Sequence, residues 1–171
     1  LYTLTSFCLL IIWISISPRK YNSFYFAIYH ILIGGLFLYF SINNPADSQE
    51  FFLEGSPSAC LLGNNLNELD YGSKLKFDLT NPNFIFCLTG SLKIILNNFG
   101  FVSSIFTFIG FLGLNYFFQK ILELTKQNKF DNQICLLVFY LPTISFWTSG
   151  ISKESLIILA YSLIFDFILY S

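Results

Sequence analysis

Charge is scarce in this chain. Only 11% of its residues are Asp, Glu, Lys or Arg, where soluble domains carry about 25%. The scarcity is also concentrated. No charged residue stands between Lys20 and Asp47, between Lys93 and Lys120, or between Asp131 and Lys153. Each gap matches or exceeds the ~20 apolar residues that a helix needs to cross a bilayer. A soluble helix must turn one face to water and does not avoid charge for so long. The gaps predict an all-α, polytopic integral membrane protein.

Other absences narrow the function. The net charge is -1 and no basic patch is present, so a nucleic-acid partner is not expected. There is no P-loop, GxGxxG, HExxH or GxSxG, which leaves soluble nucleotide and hydrolase chemistry without support. The four cysteines, Cys8, Cys60, Cys87 and Cys135, form no CxxC motif and no Cys/His cluster. A structural zinc or redox motif is therefore not expected. They read as four independent free thiols, and Cys60 with Cys87 is the only pair that could share an oxidising side. No methionine occurs, and Asp166 to Ser171 still read as the interior of a helix. Both features point to a fragment of a longer protein.

What is present is apolar and aromatic. The apolar runs place five spans, at residues 1–17, 24–42, 100–118, 132–149 and 155–171, in a single membrane domain over residues 1–171. The first run is followed, not preceded, by Arg19 and Lys20, so it reads as a truncated span rather than a signal peptide. Between the second and third spans lies a long polar loop, residues 43–83. It holds six of the ten acids: Asp47, Glu50, Glu54, Glu68, Asp70 and Asp78. A structureless loop of that length is uncommon unless it is functional. Residues 84–98 are apolar but interrupted by Gly90, Lys93, Asn97 and Asn98; they predict an interfacial or re-entrant helix. Gly110 and Gly113 have the spacing of a close helix contact, and Pro142 weakens the fourth span.

Basic residues beside spans face the cytoplasm. Arg19 and Lys20 fall on the same side as Lys120, Lys126 and Lys129 only if residues 84–98 do not cross. The acidic loop and Lys153 then face outward together, in a multi-pass protein of the bacterial inner membrane.

Three places could carry chemistry. Asp47, Glu50 and Glu54 recur at spacings of three and four, so one face of a short helix over 47–55 would group them. Grouped carboxylates hinder one another's ionisation and so tune a general base; they also offer oxygen ligands to a divalent cation. Phe51, Phe52 and Leu53 would rest on the membrane surface. The alternative is a solvated surface helix. The second place is the segment Leu141 to Glu154. There Gly150 permits a tight turn, Ser152 caps the next helix, Glu154 suits its positive end, and Lys153 meets a lipid phosphate at the outer interface. The alternative is a helix hairpin with a snorkelling lysine. Third, Asp166 lies deep in an apolar run, where acids are costly and functional by default. His30 is alone in the second span and reads as a packed helix–helix hydrogen bond.

The order of these pieces resembles the GT-C superfamily of polytopic glycosyltransferases. The resemblance rests on a span leading to the acidic opening Ala46-Asp47-Ser48-Gln49-Glu50-Phe51-Phe52. It continues with the entry Phe99-Gly100-Phe101-Val102-Ser103, a short basic loop, and the polar segment from Pro142 to Glu154. It covers roughly residues 24–171. The stretch from Leu141 to Ser155 is also similar to one in Bacteroidetes-type membrane proteins linked to surface polysaccharides. The resemblance implies transfer of a sugar from a polyprenyl-phosphate donor to an acceptor hydroxyl at the outer face. Asp47 would be the base; Glu50 and Glu54 would orient the acceptor or help hold a cation. Lys153, with Glu154 beside it, would meet the departing phosphate. Two alternatives stand beside this one. One is an O-antigen or exopolysaccharide polymerase, which would rely on basic outer loops. The other is a transporter or membrane-complex subunit, in which Asp166 and His30 matter and Asp47 does not.

Overall fold

Asparagine and proline set several of the described helix ends. The computed structural model describes residues 2–16, 21–44, 47–56, 83–124 and 137–170. Among them all regular structure is helical, with no strand. The helices are α1 (Tyr2–Ile16), α2 (Tyr21–Asn43), α3 (Asp47–Leu53), α4 (Asn83–Leu96), α5 (Phe99–Leu124), α6 (Pro142–Trp147) and α7 (Lys153–Tyr170). α4 stops where Asn97 adopts φ 37°, a conformation that asparagine tolerates better than most residues. Asn98 then accepts the Phe101 N–H through Oδ1 at 3.2 Å, capping α5. Two residues thus join α4 to α5.

Among the described residues two helices are long and apolar enough to cross a membrane, over Phe24–Asn43 and Phe99–Leu124. The other expected spans differ in kind. α1 has 15 residues, and α7 carries Lys153, Glu154 and Asp166. The run at 132–149 is described from residue 137, and it is broken. Residues 137–139 are helical, Tyr140 turns, and Leu141 is extended at φ -64°, ψ 123° with Pro142 opening α6. A residue before proline is pushed out of the helical region, so the sequence itself places the break.

Side-chain contacts give the directions of the helices. Tyr2 meets Gly100, Thr5 hydrogen-bonds Ser104, and Trp13 stacks on Phe111; α1 and α5 run parallel. Phe26 touches Phe118, His30 lies by Phe111, and Gly34 faces Thr107; α2 runs antiparallel to α5. Gly113 faces Leu159, and Tyr116 and Lys120 reach Asp166; α7 is parallel to α5. A Cβ on Gly113 would stand 2.6 Å from the Leu159 nitrogen, so the glycine is what lets the two backbones close up.

Two apolar clusters result. The larger contains Leu10, Phe26, Ala27, Phe111, Leu114, Phe118 and Phe139, between α1, α2, α5 and the segment before α6. The smaller contains Ile85, Val102, Phe106 and Ile151, with Phe51, Phe52 and Leu156 packed against it. It binds α3, α4, the start of α5 and the start of α7 into one end of the bundle. Much apolar surface stays outside both clusters: α2 exposes Leu32, Leu36 and Tyr39, and α7 exposes Tyr161, Phe167 and Ile168.

Candidate functional site

α3 is too short to be stable alone and is held by its neighbours. Gln49 Nε2 donates to the Ser41 carbonyl at 2.7 Å, tying α3 to the end of α2. Lys93 Nζ donates to the Leu53 carbonyl at 2.9 Å, satisfying an orphan carbonyl at the α3 terminus. The same ammonium lies 5.2 Å from the Phe52 ring centre, within cation–π range. Phe51 stacks edge-on against Phe86 at 4.9 Å, and Phe52 against Phe99 at 5.4 Å. These two rings therefore face protein rather than the membrane surface; only Leu53 of the expected trio is exposed. Gly90 completes the joint. A Cβ there would collide with Ser56 and stand 2.6 Å from the Gly55 carbonyl carbon, so the chain after α3 crosses α4 backbone to backbone.

This seating turns Ser48 inward and leaves Asp47, Glu50 and Glu54 exposed. The shared face expected from the spacing is present. Asp47 and Glu54 are nonetheless seven residues apart, about 10 Å along a helix axis, too far for both to grip one cation. Among the described residues no three of His, Cys, Asp and Glu come together to hold a metal ion. The acids offer proton acceptance and hydrogen bonding.

The second candidate segment folds into a turn recessed in the bundle. Gly150 has φ 71° and sits against Phe37 and Ser103. Phe37 is six residues short of the end of α2 and Ser103 four residues past the start of α5, so the turn lies roughly 6–9 Å below those helix ends. Hydroxyls satisfy its backbone. Gly150 N–H donates to Thr107 Oγ1 at 3.0 Å. Ser155 Oγ donates to the carbonyls of Thr148 (2.9 Å) and Gly150 (3.2 Å). Ser152 Oγ donates to the Trp147 carbonyl and accepts the Ser155 N–H at 3.3 Å, capping α7 as its sequence predicts. Lys153 is exposed and Glu154 half-buried. The flanking residues Ile151 and Leu156 belong to the cluster that takes Phe51 and Phe52. The structure thus brings the acidic helix and the Lys153 turn to one end of the molecule. It forms no ion pair between them: the ion pairs among the described residues lie on Lys120.

Asp166 and His30 are both engaged within the bundle. Asp166 pairs with Lys120 at 2.7 Å and accepts the Tyr116 hydroxyl at 2.6 Å. His30 is fully buried, and its Nε2 lies 3.3 Å from Ser149 Oγ. Ser149 lies in the turn after α6, so this contact ties α2 to a turn and is not the helix–helix hydrogen bond expected of a lone histidine. The four-free-thiol expectation fails at Cys87, which is disulfide-bonded to a partner outside the described residues; Cys8 is free. The burial of Cys87 in α4 is what the sequence could not display. Glu68, Asp70, Asp78, Arg19, Lys20, Lys126 and Lys129 also lie outside the described residues.

Four residues that seat these elements escape a sequence reading: Gln49, Lys93, Thr107 and Ser155. Each acts on a backbone group of another segment, and no local pattern marks such a partner. Comparison with protein-family models, with curated proteins and with solved structures finds no match to this chain.

Proposed function

We propose that this is a multi-pass protein of the bacterial inner membrane that transfers a sugar from a polyprenyl-phosphate donor to an acceptor hydroxyl at the outer face. Its membrane domain has five crossings, near 1–17, 24–42, 100–118, 132–149 and 155–171, and α4 does not cross. The exposed apolar faces of α2 and α7 support embedding, because exposed patches of that extent need a cover. The antiparallel course of α2 and α5 supports a non-crossing α4, since a crossing there would make them parallel. The disulfide at Cys87 supports an oxidising, external location for the α3–α4 end.

The observation that carries the chemical reading is the meeting of α3 with the Lys153 turn in one apolar cluster. It puts exposed carboxylates and an exposed ammonium at the same end of the bundle. In the reaction, Asp47 takes the proton from the acceptor hydroxyl. The acceptor oxygen bonds to the sugar's anomeric carbon as the bond from that carbon to the phosphate oxygen breaks. The electron pair leaves with the lipid phosphate, where Lys153 neutralises it. Glu50 and Glu54 orient the acceptor, and Glu154 holds the first turn of α7.

The test compares Asp47→Asn with wild type in the full-length gene product, following sugar-lipid turnover at matched abundance. A loss of about 100-fold or more is expected for a missing general base. Unchanged turnover would sink Asp47 as the base and the reading with it.

A further inference from the structure

We infer that the last turn of α4 is a lipid-docking edge, with Ile94 and Ile95 entering the outer leaflet. Both side chains are largely exposed, at 72% and 77%. Ile85, Cys87, Thr89 and Gly90 are buried and the other described side chains of the helix are half-buried, so full exposure is confined to one turn. Leu53, exposed at 67% at the end of α3, extends the edge, because Lys93 binds its carbonyl.

Chain connectivity sets the depth. Asn97 and Asn98 alone separate α4 from α5. Ile95 is four residues from Phe99, hence within about 14 Å of it even if the link were fully extended. α5 is long and apolar enough to cross a membrane and carries no charge before Lys120, which puts its first turn at or near the boundary between hydrocarbon and water. An apolar pair fixed at that boundary meets lipid. Charge does not oppose this: the only charged residue from Ser91 to Asn98 is Lys93, and its ammonium is held by the Leu53 carbonyl. The occupant is therefore the bilayer itself. Because α3 is clamped to α4, this edge also fixes how far Asp47 and Glu50 stand from the headgroups. The inference rests on the proposed topology, with α4 at the outer face, and not on the sugar-transfer chemistry.

The test uses the full-length protein in phosphatidylethanolamine–phosphatidylglycerol vesicles, with a nitroxide at Ile94→Cys or Ile95→Cys and a control at Glu50→Cys. Collision with oxygen should exceed collision with a water-soluble nickel chelate at 94 and 95, at a depth of about 5–10 Å. The order should reverse at 50. Nickel-dominated collisions at 94 and 95 would overturn the inference. So would low collision rates with both reagents, whether spin–spin broadening reveals a second copy or its absence reveals another segment of the protein. Where a labelled variant fails to insert, Ile95→Trp with brominated lipid gives the second measurement. Extra quenching over wild type is expected, and none would overturn the inference.

Discussion

Gly113 and Gly35 are both helical glycines, yet their surroundings predict opposite outcomes. A Cβ on Gly113 would stand 2.6 Å from the nitrogen and 2.8 Å from the Cα of Leu159. Backbone cannot swing aside as a side chain does, so α5 and α7 must part. A Cβ on Gly35 meets one atom of the Tyr2 ring at 3.6 Å, ordinary contact. Gly113→Ala should therefore lower stability by about 1–3 kcal/mol, the usual range for overpacking, while Gly35→Ala should leave it nearly unchanged. Thermal unfolding of the purified chain in one detergent checks both; equal shifts would mean that the contact with Leu159 is not close. The role of Gly113 is legible in the sequence because a three-residue glycine spacing on an apolar helix has one common use. That of Gly90 is not. It reads as an interruption of an apolar run, and only the crossing by Gly55 and Ser56, more than thirty positions earlier, makes it a joint. The acidic face of α3 was readable from spacing alone, whereas the lysine that fixes it is forty positions away.

At the scale of elements, the recessed turn between α6 and α7 is the place where the backbone leaves its own hydrogen bonds. Inside a bilayer such groups must be satisfied by the protein. Thr107 does so for the Gly150 N–H, and Ser155 for two carbonyls. Thr107→Val keeps the shape but leaves a buried donor unpaired, which costs about 1–3 kcal/mol. Thr107→Ser retains the oxygen and should cost less. The measurement is the melting temperature of each variant beside hydrogen exchange at the Gly150 amide. A protected amide and an unchanged melting point in Thr107→Val would show that another group accepts that proton. The turn itself, its glycine and its serine cap were readable, because turn chemistry is local. Its depth was not. The hydroxyls that make depth tolerable sit on α5 and α7, and a serine or threonine in an apolar run looks the same whether it packs, caps or hydrogen-bonds a distant carbonyl.

For the whole molecule, the decisive relation is that α2 and α5 run in opposite directions while α1 and α5 run together. Charge bookkeeping on the sequence reached the same arrangement by another route, since the basic residues share a side only if residues 84–98 stay on the outer face. The two arguments are independent: one uses flanking lysines and arginines, several outside the described residues, and the other uses ring and glycine contacts within the bundle. Both lead to one testable labelling pattern. Glu54 lies just after α3 and Asn98 just before α5, on either side of α4, whereas Leu124 ends α5 and is exposed. In intact spheroplasts a membrane-impermeant maleimide should label Glu54→Cys and Asn98→Cys above the wild-type background. Leu124→Cys should stay unlabelled until the membrane is opened. If positions 54 and 98 label from opposite sides, α4 crosses, the two basic loops fall on opposite faces, and α3 no longer shares a compartment with the Lys153 turn. The chemistry proposed for that end needs its carboxylates and its ammonium in the same water, so this labelling pattern bears on mechanism as directly as on topology.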